Sequence, residues 1–392
     1  GKYVVNGGIA SWTLLNLYEM MPDKYGDSTL NIPESGNGAP DLLDEVRWEM
    51  DFLMGMQVPE GQPQAGMAHH KLHETVWDGM PYMPPTVKRQ GRFLMPPSTT
   101  ATLNLAAVSA QCARVIAPFD EEYAAKCLDV AQKAWTAANE NPIFLYGNIP
   151  GAGGGNYDDR NPDDEFFWAA AELFITTGDQ EYYDYLKTSP YFTRLAGWSA
   201  GDSGAMWWGG VNMLGTISLA VTDNGLSDED QQRVQDQILR VADTYRAQID
   251  REGYRLPMTI NGYPWGSNSV VLNNALVMGI AYRLTGEQTY LDGAVEGMDY
   301  ILGRNSLNFS FVSGYGEQSM NHPHHRFWSN VPTSGFPAPP PGAIAGGPNG
   351  NPADPAAQAP EIAERPTAKR YIDHRDSYST NEVAINWNAP LA

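Results

Sequence analysis

The chain has 392 residues, 42% of them hydrophobic and 11% aromatic, with a formal net charge of −21. That length buries a large core in one domain or two. The acidic balance argues against nucleic acid, whose phosphates need a basic face, and against anionic membrane surfaces; a neutral ligand such as carbohydrate meets no repulsion.

The chain opens on Gly1-Lys-Tyr-Val-Val, which reads as mid-domain sequence, so the lack of a leader says nothing about export. No window approaches the ~18 consecutive apolar residues of a membrane span. Pro40–Gln57 carries Leu42, Leu43, Val46, Met50, Leu53 and Met54 on one helical stripe, with Pro40 suited to the first helical position. Trp48 and Trp135 fall inside helical patterns and are expected in the core. Cys112 and Cys127 flank a turn at Ala117–Asp120. A disulfide is geometrically open to them, but two buried free thiols are the preferred expectation, and no zinc spacing is present. Ser227-Asp-Glu-Asp230 looks like a capping box that opens a helix bearing Val234, Ile238, Val241, Ala242, Tyr245 and Ile249. Strand alternation is nearly absent, and Phe309–Tyr315 is the best candidate for it.

A weak repeat runs through these helices. Thr177-Gly178-Asp179-Gln-Glu-Tyr182, Thr285-Gly286-Glu287-Gln-Thr-Tyr290 and Pro118-Phe119-Asp120-Glu-Glu-Tyr123 each place an acid at the restart of a helix, with a Tyr three residues on. Glycine supplies a left-handed stop in the first two. With a further turn near Gly225, the spacing is about 50–60 residues, room for two helices and their loops. Such helical hairpins point to an all-α toroid of about ten or eleven helices, where a ring of six hairpins needs twelve. The long segments Val58–Ser98, Asn141–Asp164 and Ser306–Lys369 are expected to be functional loops at one end. The last is rich in Pro and Gly, like a linker, but chemistry-bearing residues lie on both sides of it, which favours an ordered loop.

Several clusters can carry chemistry. Asp158, Asp159, Asp163, Asp164 and Glu165 lie beside Gly-rich chain and suit the oxygen ligation of calcium; the alternative is a helix N-terminus enriched in acids. Trp265, in a Tyr-Pro-Trp-Gly-Ser turn, is the best flat platform for a pyranose ring, followed by Trp207, Trp208, Tyr315 and Trp328. His322, His324 and His325 cluster before Arg326, where His324 and Arg326 point to one side of extended chain and can donate to sugar hydroxyls. A His-rich metal patch is the weaker reading, because the run lacks helical spacing and a carboxylate set. In the last stretch, Glu382 is one carboxylate in an otherwise neutral segment, Ser379–Ala392. Desolvation there raises a carboxyl pKa, as a general acid near neutral pH requires.

Tyr371, Asp373, Tyr378, Glu382, Ala384, Asn388 and Ala389 resemble the C-terminal active-site signature of family 9 glycoside hydrolases at each defined position. The run from Ser310 to Arg326 resembles the family's other signature, with Gln318 where Asn, Lys or Arg is usual. Asn31–Gln57, Ser98–Thr102, Asp164–Leu173, Trp265–Asn268 and Asp299–Asn305 extend the resemblance over nearly the whole chain. It implies an (α/α)6 barrel, here one catalytic domain spanning 1–392 and incomplete at its N-terminus, from a bacterial branch that often carries an immunoglobulin-like module. It further implies a secreted enzyme that hydrolyses internal β-1,4 bonds of cellulose or related β-glucans with inversion. No organic cofactor is implied, and carbohydrate-binding or immunoglobulin-like modules are expected outside this chain.

Residue by residue, the resemblance makes Glu382 the general acid and gives His324 and Arg326 contacts to substrate. Asp373 becomes a residue that orients substrate or catalyst, with a hydrogen bond to backbone an equal alternative. His70, in a stretch similar to one that reaches the family's cleft, becomes a substrate contact, and Asp164 and Glu165 the first choices for calcium. The catalytic base is expected in an Asp-Ala-Gly-Asp motif just upstream of Gly1. Two other classes compete. A polysaccharide lyase on an α/α toroid would need basic subsites that a −21 chain lacks. A non-catalytic glucan-binding protein would lack the base altogether.

Overall fold

The computed structural model describes residues 1–83, 91–149, 154–193, 205–259 and 262–392; parts of the loops expected at 58–98 and 141–164 therefore lie outside the described residues. The chain forms two compact units. The first comprises Gly1–Val76, Gln90–Gly197 and Trp208–Gln237, the second Trp77–Arg89, Trp198–Trp207 and Ile238–Ala392.

Helical hairpins build the first unit. Val4–Met20 packs on Asp41–Gly55 and on Thr99–Ile116, which packs on Glu121–Glu140 and Asp163–Thr177. The composition of each helix decides its place. Thr99–Ile116 carries uncharged side chains all round apart from Arg114, and almost every residue in it is buried. Glu121–Glu140 buries one stripe, with Ala124, Cys127, Val130, Ala131, Ala134 and Trp135 at helical spacing. Cys112 and Cys127 are the expected buried free thiols, their Sγ atoms 3.4 Å apart. Asp120 accepts from the backbone N–H of Tyr123, and Ser227 Oγ from that of Asp230, as their capping patterns predict. Gly178 ends Asp163–Thr177 at φ 73°, the left-handed stop expected from the repeat.

In the second unit, Ser267–Thr285 and Gln288–Ile301 form a hairpin joined at Gly286, again at φ 73°. Its core gathers Val271, Tyr300, Ile301, Phe311, Ile344 and Tyr371. The Pro- and Gly-rich segment is an ordered part of that core, with Ala343, Ile344, Ala345 and Ala357 buried. Among the described residues ten α-helices reach nine residues or more. No helix among them is long and apolar enough to cross a membrane.

Three expectations are corrected. Trp48 is 75% exposed: it sits on the outward side of Asp41–Gly55, whose buried stripe is Leu43, Val46, Met50, Leu53 and Met54. Pro40 is the N-cap of that helix, in extended conformation, and the first helical residue is Asp41. Phe309–Tyr315 makes isolated bridges, Ser310 to Ser319 and Val312 to Ile344, and no strand. The strands lie in the first unit, where Lys71–Glu74 pairs with both Lys2–Tyr3 and Arg92–Leu94, and Ala68–His69 pairs with Pro97–Ser98. At two to four residues each, they are too short for alternation to register.

Candidate active site

Glu382 follows a single helical turn, Tyr378–Asn381, and begins an extended step before Ile385–Asn388. Its backbone is pinned on two sides: its carbonyl accepts from Gly346 N–H at 2.9 Å, and the residue pairs with His324 in a parallel bridge. The preceding Asn381 is buried. It accepts from the Tyr371 hydroxyl at 2.6 Å and donates to Asp373 at 3.0 Å and to the His322 carbonyl at 2.7 Å. Asp373 also accepts from the backbone N–H groups of Asn321 and His322, both at 2.9 Å. Both its oxygens are therefore engaged in tying the histidine segment to the acid turn. Of the two roles open to it from sequence, the geometry presents the structural one. Asn388 closes the far side, accepting from Ile344 N–H at 3.0 Å and donating to the Ala384 carbonyl at 2.7 Å.

Glu382 as a residue is half-buried, and the packing around its carboxyl withdraws that group from water. Burial raises its pKa to about 7, against opposing effects from a Trp265 side-chain hydrogen bond and the positive charge of Arg326. A carboxyl so placed holds its proton near neutrality. Trp265 is 45% exposed and stacks on Tyr378, ring centroids 5.9 Å apart and planes at 26°. Gly266 makes that placement possible: it sits at φ 79°, and a Cβ there would lie 2.6 Å from the Trp387 ring.

His324 Nδ1 lies 2.6 Å from the Arg375 carbonyl, so Nδ1 carries the hydrogen and Nε2 faces the Arg326 guanidinium at 3.2 Å. Burial lowers the His324 pKa, which keeps this tautomer neutral. His324 thus orients Arg326. The guanidinium also donates to the Asp78 carbonyl at 3.3 Å and lies 5.4 Å from the centroid of Trp77, while Tyr82 N–H donates to the Arg326 carbonyl at 3.0 Å. Sequence reasoning missed Trp77, which is 58% exposed. Its position in a long polar loop, outside any helical pattern, was the available signal. Trp328 stacks on His325 at 4.2 Å, and Tyr315 is 54% exposed.

Other predicted residues belong to the first unit. Asp159, Asp164 and Glu165 bring one carboxylate oxygen each within 4.8 Å of one another. Asp158 turns away, accepting from Gly147 N–H at 3.0 Å and facing Arg160 at 3.6 Å. Glu165 is fully buried, and neither of its carboxylate oxygens has a hydrogen-bond partner; Asp159 Oδ2 is likewise unpartnered. Burial raises the pKa of Glu165 and, to about 6, that of Asp164, and the charge of Asp159 adds to both shifts. Unpartnered buried oxygens of this kind fit a hard cation. His70 is a correction: it is fully buried, with Nδ1 at 2.8 Å from Ser98 Oγ and Nε2 at 2.8 Å from the Asn156 carbonyl, and it stacks on Tyr146 at 4.2 Å. With both nitrogens engaged and no surface open, it packs rather than presents. Trp208 is half-buried and meets Tyr157 edge-on at 5.0 Å.

The profile of glycosyl hydrolase family 9 matches residues 1–392. The chain belongs to this family. It is 47% identical over 419 residues to a cellulose 1,4-beta-cellobiosidase of Acetivibrio thermocellus, and 42% identical over 402 residues to endoglucanase C of Cellulomonas fimi. Each alignment covers 100% of the chain but only 47% and 36% of those proteins, so the chain spans less than half the length of either relative. A metagenome-derived glycoside hydrolase family 9 endoglucanase superposes with a TM-score of 0.87 at 35% identity, covering 100% of this chain and 67% of that one. The family 9 fold class, an (α/α)6 barrel, is accordingly the fold class of this chain.

Proposed function

We propose that this protein hydrolyses β-1,4-glucosidic bonds of cellulose or a related β-glucan with inversion, and that Glu382 is the general acid. The observation that carries this is a single carboxyl with its pKa raised to about 7, beside a half-exposed Trp265–Tyr378 stack and an arginine oriented by His324. In its protonated form Glu382 donates to the glycosidic oxygen as the bond to the sugar breaks. A second carboxylate removes a proton from water on the opposite face, about 6.5–9.5 Å away; no residue of this chain is assigned to that role. Trp265 offers a flat apolar face to a pyranose ring while its side chain donates to Glu382. Arg326, Tyr315 and Trp328 supply further sugar contacts.

Asp159, Asp164 and Glu165 are the residues that would hold calcium. The ion would supply positive charge to a buried carboxylate cluster and so act on stability. We further infer secretion, because a polymeric glucan is met outside the cell.

One relative is named a cellobiosidase, and this favours a second reading in which cellobiose is released from chain ends. A single experiment addresses both points: the full-length protein is incubated with cellohexaose and its products are followed by proton NMR. Newly formed α-anomers in a mixture of product lengths support internal, inverting cleavage. Exclusive early cellobiose favours the second reading, and β-anomers contradict inversion.

A further inference from the structure

Asp354 is fully buried, 28 positions before the proposed acid, and its carboxylate is directed at the turn that carries Glu382. Oδ1 accepts from Ala357 N–H at 2.7 Å, within its own loop. Oδ2 accepts from Ser379 N–H at 2.8 Å, from Ser379 Oγ, and from Ser377 Oγ at 3.2 Å. The turn Tyr378–Asn381 has Ser377 as its N-cap, yet Ser377 makes no capping bond of its own; its hydroxyl is shared between Asp354 and Thr380 Oγ1, 2.7 Å away. Asp354 satisfies the backbone N–H of Ser379, the second residue of the turn, from outside it.

The surrounding loop completes the clasp. Gly346 N–H donates to the Glu382 carbonyl, Gly347 N–H to the Thr380 carbonyl, and Asn349 Nδ2 to the Ser379 carbonyl. Asp354 is the charged member of this set. A buried carboxylate is costly unless several donors meet it, and here four do. The cost is accepted at the base of the one turn whose orientation sets the direction of the acid.

We propose that Asp354 is a positioning residue for proton donation, fixing the turn Ser377–Asn381 so that the Glu382 carboxyl is aimed at the leaving oxygen. The proposal rests on the reading of Glu382 as the acid. It predicts a defect confined to substrates that need a proton. Cellotetraose has a poor leaving group and requires protonation; 2,4-dinitrophenyl β-cellobioside releases a stable phenolate and does not.

The test compares Asp354→Asn, Ser379→Ala and Glu382→Gln in the full-length enzyme on both substrates. A carboxamide at 354 keeps the volume but turns one acceptor into a donor facing the Ser379 N–H. A misplacement of about 1 Å costs about 10²-fold, so D354N is expected to lose about 100-fold in kcat on cellotetraose. Its KM should stay within about twofold, and the aryl glycoside within about threefold. S379A, which removes one donor and leaves the carboxylate, should show the same selective pattern at about tenfold and keeps the test open if D354N does not fold. Equal losses on both substrates, or no loss on either, overturn the proposal. If E382Q itself shows no substrate selectivity, the reading of the acid fails instead.

Discussion

Two groups of buried carboxyls, one in each compact unit, start from the same physics and arrive at different chemistry. Glu382 and the Asp159–Asp164–Glu165 cluster are both pushed up in pKa by burial. At Glu382 the neighbours are a Trp265 side-chain donor and the arginine charge, so one proton is held in an environment able to release it. In the cluster the neighbours are other carboxylates, and both Glu165 oxygens lack partners. Desolvation alone does not define function. The sign of the surrounding charge and the unfilled lone pairs do: the first site is suited to passing a proton, the second to binding a cation.

The largest expected effect breaks the first half of this comparison. Glu382→Gln keeps the shape but cannot donate, so turnover on cello-oligosaccharides should fall about 10²–10⁴-fold while sugar binding survives. Steady-state kinetics with calorimetric binding of cellotetraose measure both. Near-normal turnover would remove Glu382 from the acid role.

The second effect sharpens the other half. Calcium at about 100 times its dissociation constant should add about 2.7 kcal/mol of stability, a gain that chelator reverses and that Asp164→Asn/Glu165→Gln abolishes. Without the ion, Asp164 has a folded pKa of about 6 against an unfolded value near 3.8. The folded state then holds more protons between these values, so the ion-free protein should lose stability as pH rises from about 4 to 6, and calcium should flatten that slope. Thermal melts with and without chelator decide it, and a calcium-independent melt contradicts the cation site.

The smallest effect concerns Trp265. Its side-chain donation lowers the Glu382 pKa, so Trp265→Phe should move the alkaline limb of kcat to higher pH. The ring face is kept, and KM should change by less than about tenfold, the upper worth of one aromatic contact. An alkaline limb that stays in place would show that the side chain does not touch the carboxyl.

Much of this arrangement was legible in the chain, though as pattern before role. Glu382 stood out because its flanks are neutral, and its raised pKa follows from that setting. The hairpin period was readable because Gly178, Gly286 and Asp120 act locally, through left-handed stops and a cap. Asp373 and Tyr371 are visible as positions and meet Asn381 from 8 and 10 residues away, but the tie of Asp373 to the His322 backbone spans 51 residues, which spacing does not encode. Asp354 gives no local signal: it acts through contacts to Ser377 and Ser379, which spacing does not encode. Trp48 was placed inside because helical periodicity marks a stripe, whereas its own side of the helix is decided by what packs there. His70 sat in a promising loop, yet Ser98 and the Asn156 carbonyl consume both its nitrogens.

The most direct test of the central claim is the titration of the Glu382 carboxyl itself, read as the pH-dependent carbonyl stretch in infrared difference spectra of the wild-type protein minus E382Q. A protonated carboxyl band that persists to neutral pH and disappears with a midpoint near 7 is the predicted result. A midpoint near the ordinary 4.5 of a glutamate would contradict it.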